Sequence, residues 1–236
     1  MRMERDFSYV RDNYARIADA VAAAAVRCGR DPGEIALMAV TKTVAPEIVN
    51  CAIDCGIRLL GENRVQEYQS KREFYRPDAQ VHFIGHLQTN KVKYLVGSVE
   101  MIHSVDRLSL AQEINRCAAK QNICQDVLLE VNIGGEESKS GVMPQELPEL
   151  LEQAAALPNV HVCGLMTIPP PTQDTRCLEA MQKLFEDTKA RNVQNTEMRI
   201  LSMGMSGDFE AAIACGSTLV RIGSALFGAR VYPTLR

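Results

Sequence analysis

The sequence predicts an α/β fold, a single (β/α)8 barrel of the TIM type with an extra N-terminal helix. Eight short apolar runs recur along the chain, each followed by a helical or turn segment. That alternation suits a parallel sheet covered on both faces. A segment of helical period precedes the first run. No G-x-G-x-x-G follows that run, which disfavours an open dinucleotide-binding sheet. No linker, low-complexity tract or repeat divides the chain. All 236 residues are therefore expected to form one domain, with residues 1–30 packing on the barrel as a helix.

The elements follow in order. Phe7, Val10, Tyr14, Ile17, Val21 and Ala24 recur at steps of three and four, which predicts a helix over residues 6–27. Gly29 stops it, and Asp31-Pro32-Gly33 turns the chain. Residues 35–40 form the first strand. Pro46 opens a helix that Gly56 closes. Residues 57–60 make the second strand, leading into Gly61-Glu62-Asn63-Arg64 and a polar helix to about Tyr75. Residues 81–85 are the third strand, with a short helix at 90–96, and 101–105 the fourth. Asp106 is placed to cap the next helix. Residues 127–133 are the fifth strand, followed by a polar loop at 134–141 and a helix to about 157. Residues 160–166 are the sixth, and Pro169-Pro170-Pro171 leads rigidly to a helix at 178–190. Residues 198–203 are the seventh, Ser206-Gly207-Asp208 opens a helix to about Cys215, and 218–223 are the eighth.

Composition removes several classes of function. With 46% hydrophobic and 23% charged residues this is an ordinary globular chain. A net charge of -3, 5% aromatics and no Trp disfavour nucleic acid and anionic membrane as partners. The charged N-terminus lacks a signal core and no apolar run is long enough to span a bilayer, so a cytoplasmic location is expected. The eight scattered cysteines then read as reduced core residues. Cys51 and Cys55 are four apart, but no histidine is near them in sequence, and no metal site is expected.

Chemistry is expected at the C-terminal ends of the strands. Lys42 ends the run Ile35-Ala36-Leu37-Met38-Ala39-Val40-Thr41 there. Desolvation at such a mouth disfavours the ammonium, and a neutral amine attacks aldehydes to form a Schiff base. Taken alone, Lys42 could equally end a strand and reach into water. The loops after strands seven and eight often bind phosphate. Here they hold Ser206 and Gly207 at a predicted helix start, and Arg221, Gly223 and Ser224. Ser206 is either an anion ligand or a simple N-cap, and Gly223 either a close backbone approach or a tight barrel corner. Arg221, in the apolar frame Leu219-Val220-Arg221-Ile222, needs a partner, either a structural ion pair or a ligand. Asn63, His86, Asn132 and Thr167 cluster at other strand ends, and Asn63 and His86 could be turn or cap residues. Lys139 is a rival lysine in a polar loop, where its amine stays charged. A lysine amine facing a phosphate cradle fits pyridoxal 5′-phosphate (PLP), or a sugar phosphate handled by a lysine aldolase.

The chain resembles the YggS/PROSC family of pyridoxal-phosphate homeostasis proteins over nearly its whole length. The likeness rests on Ala39-Val40-Thr41-Lys42-Thr43, Gly61-Glu62-Asn63-Arg64-Val65-Gln66-Glu67 and His82-Phe83-Ile84-Gly85-His86-Leu87-Gln88-Thr89-Asn90-Lys91. It continues in Gly164-Leu165-Met166-Thr167, Leu201-Ser202-Met203-Gly204-Met205-Ser206 and Val220-Arg221-Ile222-Gly223-Ser224-Ala225-Leu226-Phe227-Gly228.

The resemblance implies a barrel similar to the N-terminal domain of alanine racemase, with PLP on Lys42 as a Schiff base. It implies Ser206, Gly207, Gly223 and Ser224 around the phosphate, Asn63 and Met166 among the cofactor-binding residues, and Arg221 facing the pyridine nitrogen. An arginine there keeps that nitrogen unprotonated and weakens the ring as an electron sink. Racemisation needs a second base, which the racemases take from a separate domain of the partner subunit. Few residues follow the last predicted strand, and Tyr9, Tyr14, Tyr68, Tyr75, Tyr94 and Tyr232 fall in helices or the tail. No catalytic residue is therefore assigned. The expectation is a non-catalytic PLP carrier, a monomer, that buffers the cofactor or delivers it to apo PLP-dependent enzymes. A weak single-domain amino-acid racemase is the alternative.

Overall fold

The computed structural model describes residues 7–136, 138–170 and 174–228. Eight parallel strands close into a barrel in sequence order. They are β1 Ala36–Val40, β2 Leu59–Glu62, β3 Gln80–Phe83, β4 Met101–Val105, β5 Gln125–Glu130, β6 Val160–Met166, β7 Thr196–Met205 and β8 Leu219–Ile222. β8 pairs back onto β1, with Leu37 opposite Val220 and Met38 opposite Arg221, and this completes the ring. The helices are α1 Ser8–Arg27, α2 Pro46–Asp54, α3 Val65–Lys71, α4 Leu108–Ala119, α5 Leu147–Ala155, α6 Arg176–Ala190, α7 Phe209–Ala214 and α8 Ser224–Phe227.

The continuous apolar runs are explained by burial on both faces. Along β5, Val127 and Leu129 point outward and pack with Leu110, Ile114, Leu151 and Phe185 of the surrounding helices. Leu128, between them, points into the lumen with Met101, Cys163 and Met166. Met38, Val40, Ile84 and Leu219 fill another part of the lumen. α1 covers the side where the barrel closes: Val10, Ile17, Val21 and Ala24 pack with Val220, Ile222, Ile213 and Leu226. No helix among the described residues is long and apolar enough to cross a membrane.

Several boundaries differ from expectation for physical reasons. β2 starts two residues late and runs through Gly61 and Glu62, because Glu62 is sealed inside the fold. The short helix after β3 is a 3₁₀ segment, Thr89–Tyr94, and the polar helix after β2 breaks into α3 and a 3₁₀ turn at Arg72–Phe74. Asp106 does not cap α4. The N-cap is Arg107, and Asp106 pairs with its guanidinium instead. The fifth strand ends at Glu130, and Val131 only bridges to Val142. Asp6, Pro171 and Tyr232 lie outside the described residues.

Gly164 has a special place in β6. It sits at φ 148° beside a register shift between β6 and β7. A Cβ there would lie 1.9 Å from the Ile200 carbonyl oxygen. Only glycine lets β7 approach this closely. Gly164→Ala is expected to lower stability by about 1–3 kcal/mol through backbone displacement, read as a lower midpoint in urea unfolding.

Candidate functional site

β1 delivers Thr41, fully buried, and Lys42, half-buried, to the C-terminal mouth of the barrel. The next residue is strained: Thr43 has φ 64°, a left-handed conformation that a β-branched residue resists. Such a residue costs on the order of 1–3 kcal/mol and persists only when its surroundings over-determine it. Here α3 does so. The Thr43 N–H donates to the Glu67 carboxylate, which also pairs with Lys71, and Lys71 Nζ donates to the Thr41 carbonyl at 3.1 Å. From the other side Thr41 Oγ1 donates to Glu62 Oε1 at 2.7 Å, and the Tyr75 hydroxyl donates to the same oxygen at 2.5 Å. Burial pushes the Glu62 carboxyl above the usual carboxylate range, against the pull of those two donors.

Lys42 opens onto a cavity of about 330 Å³. Asn63, Ser206, Gly207, Arg221, Gly223 and Ser224 share its wall, with Val40, Ile84, Ile168 and Met205 as its apolar part. The structure thus brings seven of the expected site residues to one place. It does not bring Met166, which is 1% exposed and packs inside the lumen with Met101, Leu128 and Cys163. Lys139 is also absent from this wall, and its ammonium pairs with Glu136 at 2.7 Å.

The expectation that Ser206 starts a helix needs correction. α7 begins at Phe209, after Asp208, and Asp208 Oδ1 accepts the Met205 N–H at 2.6 Å. Ser206 therefore sits in a loop with its hydroxyl turned to the first turn of α8. Its Oγ accepts from the Gly223 and Ala225 N–H groups, each at 3.3 Å. Two backbone amides and the hydroxyls of Ser206 and Ser224 gather at this end of the cavity. The two hydroxyls suit an anion, and both amides are engaged by Ser206 Oγ. A Cβ on Gly207 would meet nothing within 4 Å, so the loop leaves open space beside it.

Arg221 is 4% exposed. Its Nη1 donates to Ser202 Oγ at 2.7 Å and its Nη2 to the Thr167 carbonyl at 2.8 Å. Ser202 Oγ in turn lies 3.3 Å from His103 Nδ1, and His103 Nε2 lies 2.8 Å from His82 Nδ1. A guanidinium can only donate. The Ser202 oxygen therefore accepts from it and also shares one hydrogen with His103 Nδ1. His103 Nε2 and His82 Nδ1 share another, in directions set by the tautomers of the two rings. Burial holds His82 neutral, with its pKa lowered to about 4, and holds His103 well below its ordinary range. The charge thus ends at Arg221, and a neutral chain descends from it through the lumen.

Burial lowers the Arg221 pKa to about 10, against the attraction of Asp208 and Glu130. Glu130 is 5% exposed at the end of β5, and burial raises it to about 7, with Asp106 adding and Arg221 opposing. Among the other strand-end residues, Asn132 Nδ2 ties the following loop to the Glu136 carbonyl at 2.8 Å, and His86 Nδ1 meets Ser140 Oγ at 3.1 Å. Thr167 supplies the carbonyl for Arg221. Sequence reasoning missed Val40, Ile84, Ile168 and Met205, although each lies at or just past a strand end, where the cavity had to be.

Fold and site together define a class: a (β/α)8 barrel that presents a lysine amine across a cavity from an anion cradle, with a buried arginine between the strands. The alanine racemase N-terminal domain family matches residues 10–231. A pyridoxal phosphate homeostasis protein of Aquifex aeolicus is 48% identical over 225 residues, 94% of this chain and 98% of that one. PipY of Synechococcus elongatus, solved with PLP bound, is 32% identical with a TM-score of 0.74, covering 90% of this chain and 100% of PipY. An alanine racemase from Streptomyces lavendulae shares the fold at 19% identity and a TM-score of 0.75, covering 97% of this chain and 59% of that one. The chain belongs to the alanine racemase N-terminal domain family and, within it, to the pyridoxal phosphate homeostasis proteins.

Glu130 gives a stability signature. Its folded pKa of about 7 lies above the ordinary 4.5. Between those values the folded state keeps a proton that the unfolded chain has lost, so stability falls as pH rises from about 4.5 to 7 and levels off above. At full strength the loss is about 3 kcal/mol. Glu130→Gln is expected to flatten that fall, measured by urea unfolding at pH 5 and pH 8.

Proposed function

We propose that this chain binds PLP and serves intracellular PLP homeostasis, buffering the cofactor and delivering it to apo PLP-dependent enzymes, with PLP held as a Schiff base on Lys42. One observation carries the reading: Lys42, Ser206, Gly223 and Ser224 all line a single cavity. Two features of the wall fit the group. The cradle offers the Ser206 and Ser224 hydroxyls to a phosphate, beside two amides that are bonded to Ser206 Oγ. Asn63 presents a buried Oδ1 that lacks a partner among the described residues. The volume lies at the lower end of small-molecule sites, about 300–1,000 Å³.

In this reading Ser206, Gly207, Gly223 and Ser224 bind the phosphate. Asn63 orients the ring, and Arg221 holds its guanidinium toward the ring nitrogen so that this nitrogen stays unprotonated. PLP bound at such a site supplies an electrophilic aldehyde, which condenses with the Lys42 amine and releases water. Glu62, Glu67 and Lys71 keep the Lys42 turn in place. Met166 supports the site from the lumen. The protein works as a cytoplasmic monomer, with no nucleic acid or membrane as partner.

The reading is non-catalytic. Among the described residues the cavity wall contains one amine and no tyrosine, whereas racemisation asks for a proton donor on each face of the substrate. A weak racemase is the second reading, favoured by the fold that this chain shares with alanine racemases. Deuterium incorporation at the α-carbon of any common amino acid would support the racemase, and its absence across the set removes it.

Purified protein is expected to show a visible absorption band that Lys42→Ala abolishes. A persistent band, with borohydride trapping PLP on Lys139, would overturn the assignment. Ser206→Ala and Ser224→Ala are each expected to weaken PLP retention about tenfold or more, since a charge-assisted hydrogen bond is worth roughly 1.5–3 kcal/mol. Equilibrium dialysis measures this. Delivery predicts that PLP moves from this protein to an apo-aminotransferase and restores its activity, and failure under all conditions tried removes delivery but not binding.

A further inference from the structure

A second group of functional side chains lies at the opposite, N-terminal mouth of the barrel. Asp126 is the second residue of β5 and His161 the second of β6, and the two are register partners. Cys163 follows His161 by two residues and so shares its lumen-facing side. Asp126 Oδ1 lies 3.0 Å from His161 Nδ1, and Cys163 Sγ lies 3.3 Å from the same nitrogen. The three ligand atoms all fall within 4.8 Å of one another. A tetrahedral zinc site, with bonds of about 2.0–2.3 Å, places its ligand atoms roughly 3.3–3.7 Å apart. Neighbouring strands of a closed barrel hold this triangle almost at that size already.

We propose that Asp126, His161 and Cys163 form a binding site for a divalent cation of the zinc class at the N-terminal mouth, with the fourth position open to water. The donor set is the argument for the class. One carboxylate, one imidazole and one thiolate suit a borderline cation and exclude magnesium and calcium, which want oxygen alone. Access is provided, because the Asp126 and His161 side chains are 34% and 29% exposed while Cys163 is covered.

The Arg199 guanidinium marks where a cation belongs. Its Nη2 lies 3.2 Å from Asp126 Oδ2 and 3.5 Å from Cys163 Sγ. It is held loosely. The side chain is 46% exposed, and its Nε already reaches Glu197 Oε2 at 3.1 Å. A metal ion entering the triangle would displace Nη2 from Asp126 and Cys163, and Glu197 would keep the arginine on the rim. Cys163 gives up its proton to solvent when sulfur binds the metal, and His161 binds through Nδ1 as the neutral ring. The site uses no residue of the Lys42 cavity, so it stands or falls apart from the PLP reading.

Cobalt(II) titration of the purified full-length chain tests this, because a thiolate bound to cobalt gives a strong charge-transfer band. One equivalent of band is expected. Cys163→Ser is expected to abolish it, and His161→Gln to weaken binding at least about a hundredfold, as loss of a direct ligand should exceed loss of an outer-shell partner. Arg199→Ala is expected to bind about tenfold tighter or better, since it removes the competing positive charge. No thiolate band in either the natural chain or Arg199→Ala overturns the proposal. So does a band of unchanged affinity in His161→Gln, which would place the metal on other cysteines even if Cys163→Ser fails to fold.

Discussion

The interaction on which this structure turns is the burial of a guanidinium at the barrel axis. Arg221 comes from β8, the strand that closes the ring against β1, and it is opposite Met38 in that pairing. A charge in such a place is tolerated only when donors find acceptors. Ser202 of β7 and the Thr167 carbonyl just past β6 supply them. Three strands are therefore tied together at the C-terminal mouth by one side chain. The chain of hydrogen bonds then continues through Ser202 to His103 of β4 and His82 of β3. Because the guanidinium cannot accept, the first bond of that chain runs from Arg221 to Ser202. The polar column does in the lumen what apolar packing does outside it, and it orients the guanidinium that lines the cavity.

The Lys42 turn is supported by a different device. Arg221 is held by acceptors, whereas Lys42 is held by controlling the backbone on both sides of it. Thr41 is anchored to Glu62 of β2, and Thr43 is kept in a costly left-handed conformation by Glu67 of α3. Lys71 joins the two anchors by reaching both Glu67 and the Thr41 carbonyl. The backbone that carries the amine is thereby fixed on both sides. A site that must exchange a bound aldehyde would gain from that separation of a rigid backbone and an open cavity.

The barrel was legible in the sequence because parallel strands buried on both faces read as unbroken apolar runs, and eight of them alternate with helices. The sites of Lys42, Asn63, Arg221, Gly223 and Ser224 were legible because they end such runs. Finer features were not. Ser206 looked like a helix cap because Ser-Gly-Asp is capping chemistry, but Asp208 spends its carboxylate on the Met205 N–H and the helix starts later. Met166 entered only through the family resemblance, and it packs inside the lumen with Met101, Leu128 and Cys163. Glu62 and Glu67 sit in the quoted Gly61–Glu67 motif, but nothing local says that their partners are Thr41, Thr43 and Lys71. Those contacts join β1 to α3 and exist only after folding.

The two ends of the barrel also differ in how they hold chemistry. At the C-terminal mouth Lys42, Asn63, Ser206 and Ser224 come from loops and first turns, and their precision is borrowed from supporting residues such as Glu67 and Ser202. At the N-terminal mouth Asp126, His161 and Cys163 stand directly on paired strands, and register alone sets their spacing. Such a cluster is invisible in one dimension, since Asp126 lies far from the other two in sequence. It is rigid in three dimensions for the same reason that a strand ladder is rigid. Arg199 is the flexible element there, exposed and shared between Glu197 and the triangle. A barrel can thus keep an adaptable site at one mouth and a fixed set of side chains at the other, and the polar column from Arg221 to His82 runs between them, with His82 within the field of Asp126 and Arg199.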